Sequence, residues 1–537
     1  MGALTSLTRF AAAIIAFLVV LPLLFLAGQP AANAAQQPQV VKITGDSALL
    51  ADQTVWIWGD NPYGSDGSTF ESKGLNQPVM VKELSGIVDI TAGGGFSVAL
   101  KKDGTVWVWG SGQFGGLGNG ESMYTLGLSF PMSGPKPYSQ KPVQVKGLSD
   151  VTAIAAGGHV LALKKDGTVW AWGQNGGGQI GVGSREMIVT VPTQVSGLPP
   201  IQSIAAGNFH SLALDSNGGV WMWGENYFGK AGDGTESRLA YNGEATRDIG
   251  EPQNKNAPVK VKNLEDVARI QAVSGWYNIA VKKDGSAWFW GKNNILSFTR
   301  GETANQLIPK ELPELHGVQN IVSGYNASLI LKKDGTLWTL GYNKFGQLGN
   351  GTKKDRMEPG QVSSLSEVTG IANNGDASLA LKKDGTVWAW GRNDVGQLGN
   401  RNRYLFLTPR QIIFNKDTIV KEQPIEVFVD DVLTSVKSPP KTIDGSLYVS
   451  SSELSKTLGY TSTAQGKTKL VMKRGNQVLV VEQGSKKALI NGKTVMLDKP
   501  VTYSGNQYWL SVHSLKTLFS VKVYYESQNR LITITTK

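Results

Sequence analysis

The 537-residue sequence contains no cysteine and only four histidines. Disulfides, thiolate-bound metal sites and cysteine nucleophiles are therefore excluded. His159, His210, His316 and His513 show no metal-ligand spacing, so neither a histidine metal cluster nor a catalytic histidine is expected. No Gly-x-Ser-x-Gly nucleophile elbow occurs. Gly-rich runs such as 346–351 follow a Trp-Gly segment and open no helix, which makes them turns and not phosphate loops. Charged residues amount to only 18% and apolar residues to 40%, a balance that excludes both a disordered acidic chain and a polytopic membrane protein. The sequence thus predicts no catalytic residue, no metal and no cofactor.

Long apolar runs are also scarce, and the clearest one stands at the start. Arg9 precedes an uncharged stretch from Phe10 to Gly28, followed by Ala32-Asn33-Ala34 and Ala35. Residues 1–34 read as a cleaved export signal, which places the mature chain outside the cell or at its surface; the alternative is an uncleaved N-terminal membrane anchor. The formal net charge is +11 and is unevenly placed, because 15 Lys plus Arg oppose 8 Asp plus Glu from Pro424 onward. On an exported protein that excess implies loose attraction of the C-terminal region to anionic cell-wall polymer or lipid headgroups, not to nucleic acid, unless it is simply solvated surface.

Glycine and tryptophan are abundant, at 65 and 15 residues, and they are periodic. The segment LKKDGTVWVWG at 100–110 recurs as LKKDGTVWAWG at 163–173 and at 381–391, with weaker copies between. The first Trp of each unit falls at Trp56, Trp107, Trp170, Trp221, Trp288, Trp338 and Trp388. An independent landmark, the Pro of a Pro-x-x-apolar segment, also occurs seven times, from Pro78 to Pro409. Each unit contains apolar runs separated by Gly-centred and Asp-Gly or Asn-Gly turns, the signature of hairpins. Four antiparallel strands repeated seven times predict a mainly β fold: a seven-bladed propeller over 35–414, a linker over 415–424 and a small α+β domain over 425–537. Both rings of each Trp-x-Trp point to one strand face and are expected to pack on the neighbouring blade. The segments 38–43 and 408–413 are both outer-strand candidates, and counting does not decide which closes the ring.

Residues 371–400 (IANNGDASLALKKDGTVWAWGRNDVGQLGN) resemble the regulator of chromosome condensation repeat family, and the resemblance covers about 38–414. Departures are Leu340 in place of a second Trp, the segment 292–301 without its Gly-x-x-Gly run, and a turn His kept only as His159 and His210, where it is expected to tie down backbone. The resemblance implies a propeller that binds partners. Export of such a propeller suggests a non-catalytic scaffold for a protein or glycan at the envelope. The family also includes exported inhibitors of β-lactamases, and its eukaryotic role is guanine nucleotide exchange, which export disfavours.

Two unit spacings are long, through insertions at 121–140 and 235–256 that fall on one propeller face. Their residues Tyr124, Phe130, Tyr138, Arg238 and Tyr241 are of the types that anchor interfaces and form the candidate partner-binding set. The opposite face collects Lys-Lys-Asp hairpins, a ring that could attract a polyanion but equally protects strand edges. A monomer is expected.

After residue 424 a shorter duplication begins, with 444–460 echoed by 504–520. Ser450 and Glu453 fit a capping box, and Gly459 can end the helix. This region resembles the copper amine oxidase N-terminal stalk domain. A single histidine, His513, gives no support for copper.

Overall fold

The computed structural model describes residues 39–60, 74–122, 138–184, 186–237, 254–273, 276–293, 304–324, 327–414, 426–429, 432–434, 438–526 and 531–536. Residues 1–34, read as an export signal, lie outside that set, as do most of the two insertions. From Val40 to Ile412 the chain forms seven four-stranded antiparallel sheets, each built from four consecutive strands. In the fourth blade these are Ile201–Ala206, His210–Asp215, Val220–Gly224 and Lys255–Lys260. Every residue of His210–Asp215 is buried, because an inner strand is covered on both faces by adjacent blades. The outermost strand is half-exposed and contains Pro258, a residue without an N–H and therefore suited to an unpaired edge.

Successive blades touch through their first strands, and those of blades seven and one, Val368–Asn374 and Val40–Ile43, meet in the same way. Val40 N donates to the Gly385 carbonyl at 3.2 Å, which ties the two ends of the ring together. The segment 38–43 is thus the innermost strand of blade one and not an outer strand. Val40 and Ile43 are buried in a cluster with Leu379 and Leu381 of blade seven, a burial that an outer edge could not provide. Phe406–Ile412 is the outer strand of blade seven.

In the six repeats that have both, the two Trp have different jobs, which refines the sequence expectation. The second one is wholly buried and spans the joint to the preceding blade. Trp223 Nε1 donates to the Gln179 carbonyl at 2.8 Å, Trp290 to Lys230 at 2.8 Å, Trp390 to Gln347 at 2.8 Å, Trp172 to Gly116 at 3.0 Å and Trp58 to Gln397 at 2.9 Å. Gly181, at φ +78°, lies so close beneath Trp223 that a Cβ would sit 2.6 Å from the indole, so this position needs glycine for both its dihedral and its space. The first Trp is half-buried in six of the seven repeats, Trp56 being buried, and serves the hairpin end. Trp107 Nε1 donates to Thr105 Oγ1 at 3.2 Å, while Lys101 lies over its ring at 4.7 Å.

The C-terminal region folds as the duplication implies. Hairpins Lys441–Ile443 with Ser446–Ser450, and Thr502–Ser504 with Gln507–Ser511, join through Tyr448 opposite Ser511 into one four-stranded sheet. Each hairpin leads into a short helix, Ser451–Thr457 or Ser514–Phe519, and a separate five-stranded sheet spans Thr461 to Met496. Leu454, Leu458, Leu515 and Leu518 share one core with both sheets. The expected capping box does not form: Ser450 makes no side-chain cap, and the Glu453 carboxylate instead accepts from Ser438 N at 3.1 Å. Gly459, at φ +79°, does end the helix. Among the described residues no helix is long and apolar enough to cross a membrane.

Candidate partner-binding face

At one end of the ring lie the turns between first and second strands together with the connections from third to fourth strands. These connections owe their shape to the Asn of Asn-x-x-Gly-x-x-Gly. Asn175 Oδ1 accepts from Ile180 N at 3.1 Å while its Nδ2 donates to the Glu186 carbonyl at 2.8 Å; Asn226, Asn343 and Asn393 accept equivalently from Ala231, Leu348 and Leu398. A side-chain amide replaces missing backbone pairing, and the glycine runs are turns as the sequence implied.

Side-chain bridges lock successive blades just below these turns. His159 Nε2 lies 2.6 Å from Ser211 Oγ, and Ser211 Oγ donates to the Gln179 carbonyl, so His159 is the donor in its own bond. His210 Nε2 likewise donates to Asn278 Oδ1 at 2.6 Å. The turn histidines therefore hold neighbouring blades together, instead of tying backbone within their own. Burial pushes His159 down to about 3 and His210 well below its ordinary value, and the Lys230 charge adds to the second effect. In both rings Nδ1 is buried without a partner, so a second proton would have no acceptor. Lys230, wholly buried where other repeats hold Gln179, Gln347 or Gln397, meets Glu225 Oε2 at 2.7 Å.

Of the five sequence candidates, Tyr138 opens the outer strand Tyr138–Gln144 and is 38% exposed; Tyr124, Phe130, Arg238 and Tyr241 lie outside the described residues. The described face presents other aromatics that sequence reasoning missed. Phe209 and Trp276 occupy the same turn position in blades four and five and are 37% and 36% exposed, as Phe114 is at 36%. Trp276 packs on Phe228 with ring centres 5.8 Å apart, and Lys292 Nζ lies 3.7 Å from the Trp276 ring centre. Phe96, Phe114 and Phe209 line a cavity of about 180 Å³. A usable signal was present: the residue just before each second strand reads Asp46, Gly95, Gly158, Phe209, Trp276, Asn326 and Asp376 across the seven blades, a column that varies while its flanks repeat.

The opposite end is self-contained. Asp103, Asp166, Asp284, Asp334 and Asp384 each accept from the side-chain hydroxyl and backbone N–H of the Thr or Ser two residues on, at 2.6–3.0 Å. The hydroxyl bond holds these exposed carboxyls below their ordinary value, with the backbone bond the larger contribution at Asp284. Lys101, Lys164, Lys282 and Lys332 lie over the rings of Trp107, Trp170, Trp288 and Trp338. Four of the ten Lys in the anticipated ring are consequently engaged with their own repeat.

For the C-terminal domain a copper site finds no fit. His513 is exposed, and among the described residues no group of three His, Cys, Asp or Glu could hold a metal ion.

Comparison with known proteins agrees with this geometry. The family model for the RCC1-like domain matches residues 28–312, RCC1 repeats match 334–381 and 384–423, and the copper amine oxidase N-terminal domain matches 428–534. The mitochondrial RCC1 domain-containing protein RUG3 of Arabidopsis thaliana is 31% identical over 50% of this chain and 56% of its own length. The ultraviolet-B receptor UVR8 of the same plant is 29% identical over 53% of this chain and 60% of its own. This chain thus spans little more than half the length of these two curated relatives, and only 4% of the human ubiquitin ligase HERC2 that it also matches. Among solved structures, yeast RCC1 (Prp20) bound to Kap60 superposes with a TM-score of 0.55 at 20% identity, covering 74% of this chain and 92% of that one. Human WBSCR16 gives 0.54 at 20% identity, over 67% and 94%. Identities this low establish the fold alone.

Proposed function

The chain belongs to the RCC1-like propeller family, and from that premise we propose that it is an exported, non-catalytic binding protein whose loop face holds a protein partner at or outside the cell envelope. The observation that supports this most is the set of half-exposed aromatics, Phe114, Phe209 and Trp276, standing on turns that inter-blade hydrogen bonds hold rigid. Large aromatic side chains on a preorganised surface give contact area at little entropic cost, which is what interface hot spots require. The yeast Prp20 structure is that of a protein–protein complex, which favours a protein over a glycan as partner class. In this reading the basic C-terminal region adds salt-sensitive attraction to anionic envelope polymer.

Capture of envelope proteins on the immobilised full chain tests the reading. The wild type should retain a partner that a Phe209→Ala/Trp276→Ala double variant loses and a Lys165→Gln/Lys283→Gln double variant keeps; loss with the second and not the first would refute it. N-terminal sequencing of chain recovered from the culture medium should begin at Ala35, and recovery only in membranes with Met1 intact would favour an anchor.

A further inference from the structure

A second, larger cavity of about 530 Å³ opens at the centre of the loop face, where turns of blades one, two, four and seven converge on the ring axis. It shares the lining residues Gly94, Phe96 and Asn208 with the Phe-lined cavity, so the two adjoin. Its lining is polar, with Thr44, Ser97, Asn373 and Asn374 among its residues. Among the described residues the charged ones that line it are Asp46 and Asp60, with neither Lys nor Arg beside them, although the whole chain carries a net charge of +11. Neither carboxylate has an ion-pair partner among the described residues. Asn373, on the same wall, has both amide atoms without a hydrogen-bond partner. Three carboxylates elsewhere on this propeller do meet a cation: Glu225 meets Lys230, Asp394 meets Arg392 and Asp233 meets Lys255.

We infer that this cavity receives a basic side chain, Lys or Arg, of the protein partner, with a neighbouring apolar side chain of the same segment entering the Phe96–Phe114–Phe209 cavity. The inference rests on the binding-face reading and specifies the partner's chemistry. A cation between two carboxylates restores the charge match that the lining lacks, and the volume falls in the range of built ligand sites. Burial and the Asp60 charge push Asp46 up to about 6. Adjacency to an apolar cavity distinguishes this site from one for a free small cation, which has no apolar side chain to bury among the three phenyl rings.

The test uses two blocked tetrapeptides, acetyl-Gly-Arg-Phe-Gly-amide and its Gln counterpart, titrated into the full chain at pH 7.5 with binding followed by NMR line broadening of the peptide. The Arg peptide should bind at least tenfold more tightly than the Gln peptide. Asp46→Asn and Asp60→Asn, both isosteric, should each bring the Arg peptide to the level of the Gln peptide, whereas Phe209→Ala should weaken both peptides alike. Equal binding of the two peptides, or Arg binding unchanged by both Asn variants, would overturn the inference. So would n-butylguanidinium binding as tightly as the Arg peptide, which would mark a small-cation site. If the Asn variants are silent while Phe209→Ala still abolishes partner capture, this inference fails and the binding-face reading stands.

Discussion

The two ends of the propeller are built from the same repeat but treat their polar groups in opposite ways. At the hairpin end, Asp384 bonds Thr386, Thr386 accepts from Trp388, and in four other repeats a Lys covers that Trp. Each group finds its partner a few residues away. At the loop end, Asp46 and Asp60 share a cavity with no Lys or Arg among the described lining residues, Asn373 is unmatched, and Phe209 and Trp276 are half-exposed. Polar groups satisfied inside one repeat maintain the fold, whereas groups left unsatisfied over several repeats mark the surface that meets something else.

The largest effect should separate the two Trp of a single repeat. Trp172→Ala empties a wholly buried joint and frees the connection that presents Phe114, so it should cost about 3 to 5 kcal/mol and weaken partner capture. Trp170→Ala, at the hairpin end and half-buried, should cost clearly less in the same urea titration and leave capture intact. Equal costs would erase the distinction.

Acid should act next, through the loop-end histidines. His159 and His210 have folded pKa values below their unfolded ones, so below about pH 6.5 the unfolded chain binds protons that the fold refuses. The histidines' contribution to stability should therefore be flat above that pH and fall as pH drops from 6.5 towards 3, by up to about 1.4 kcal/mol per pH unit for each histidine, partly offset by Asp46, whose raised value acts in the opposite sense. His159→Gln should make the slope shallower in denaturation midpoints measured between pH 7 and pH 4; an unchanged slope would remove His159 from the account.

Smaller in stability but larger in binding is Phe209→Ala. A 37% exposed ring should contribute within about 1 kcal/mol to folding, yet its loss should reduce partner affinity at least tenfold by titration calorimetry. Smallest of all, Lys102→Gln with Lys165→Gln should move neither the unfolding midpoint nor partner affinity.

Why the fold was more legible than the site follows from the same contrast. Trp-x-Trp, Asp-Gly and the Pro of each outer strand are demanded by local geometry, and so they recur at readable intervals. Where Val40–Ile43 sits could not be counted, because an inner and an outer strand of this length both read as a short apolar run; only contact with Leu379 and Leu381 distinguishes them. The pairing of Ser450 with Glu453 looked like a capping box because sequence shows spacing but not the Ser438 amide that competes for the carboxylate. For the site, insertion length drew attention to Tyr124 and Tyr241, whereas Phe209 and Trp276 sit in turns of ordinary length. Asp46 and Asp60 are 14 residues apart in sequence and are brought together by strand pairing within blade one, where Trp58 N donates to the Asp46 carbonyl, while the rest of their cavity comes from turns of blades two, four and seven, which sequence spacing does not show.

The most direct measurement of the central claim is a competition between the two ends for one partner, in which affinity for the captured envelope protein is compared between a loop-end variant, Phe209→Ala/Trp276→Ala, and a hairpin-end variant, Lys165→Gln/Lys283→Gln, both with wild-type unfolding midpoints. The account predicts at least a tenfold loss for the first and none for the second. Retained affinity in the loop-end variant, or a loss confined to the hairpin-end variant, would contradict it.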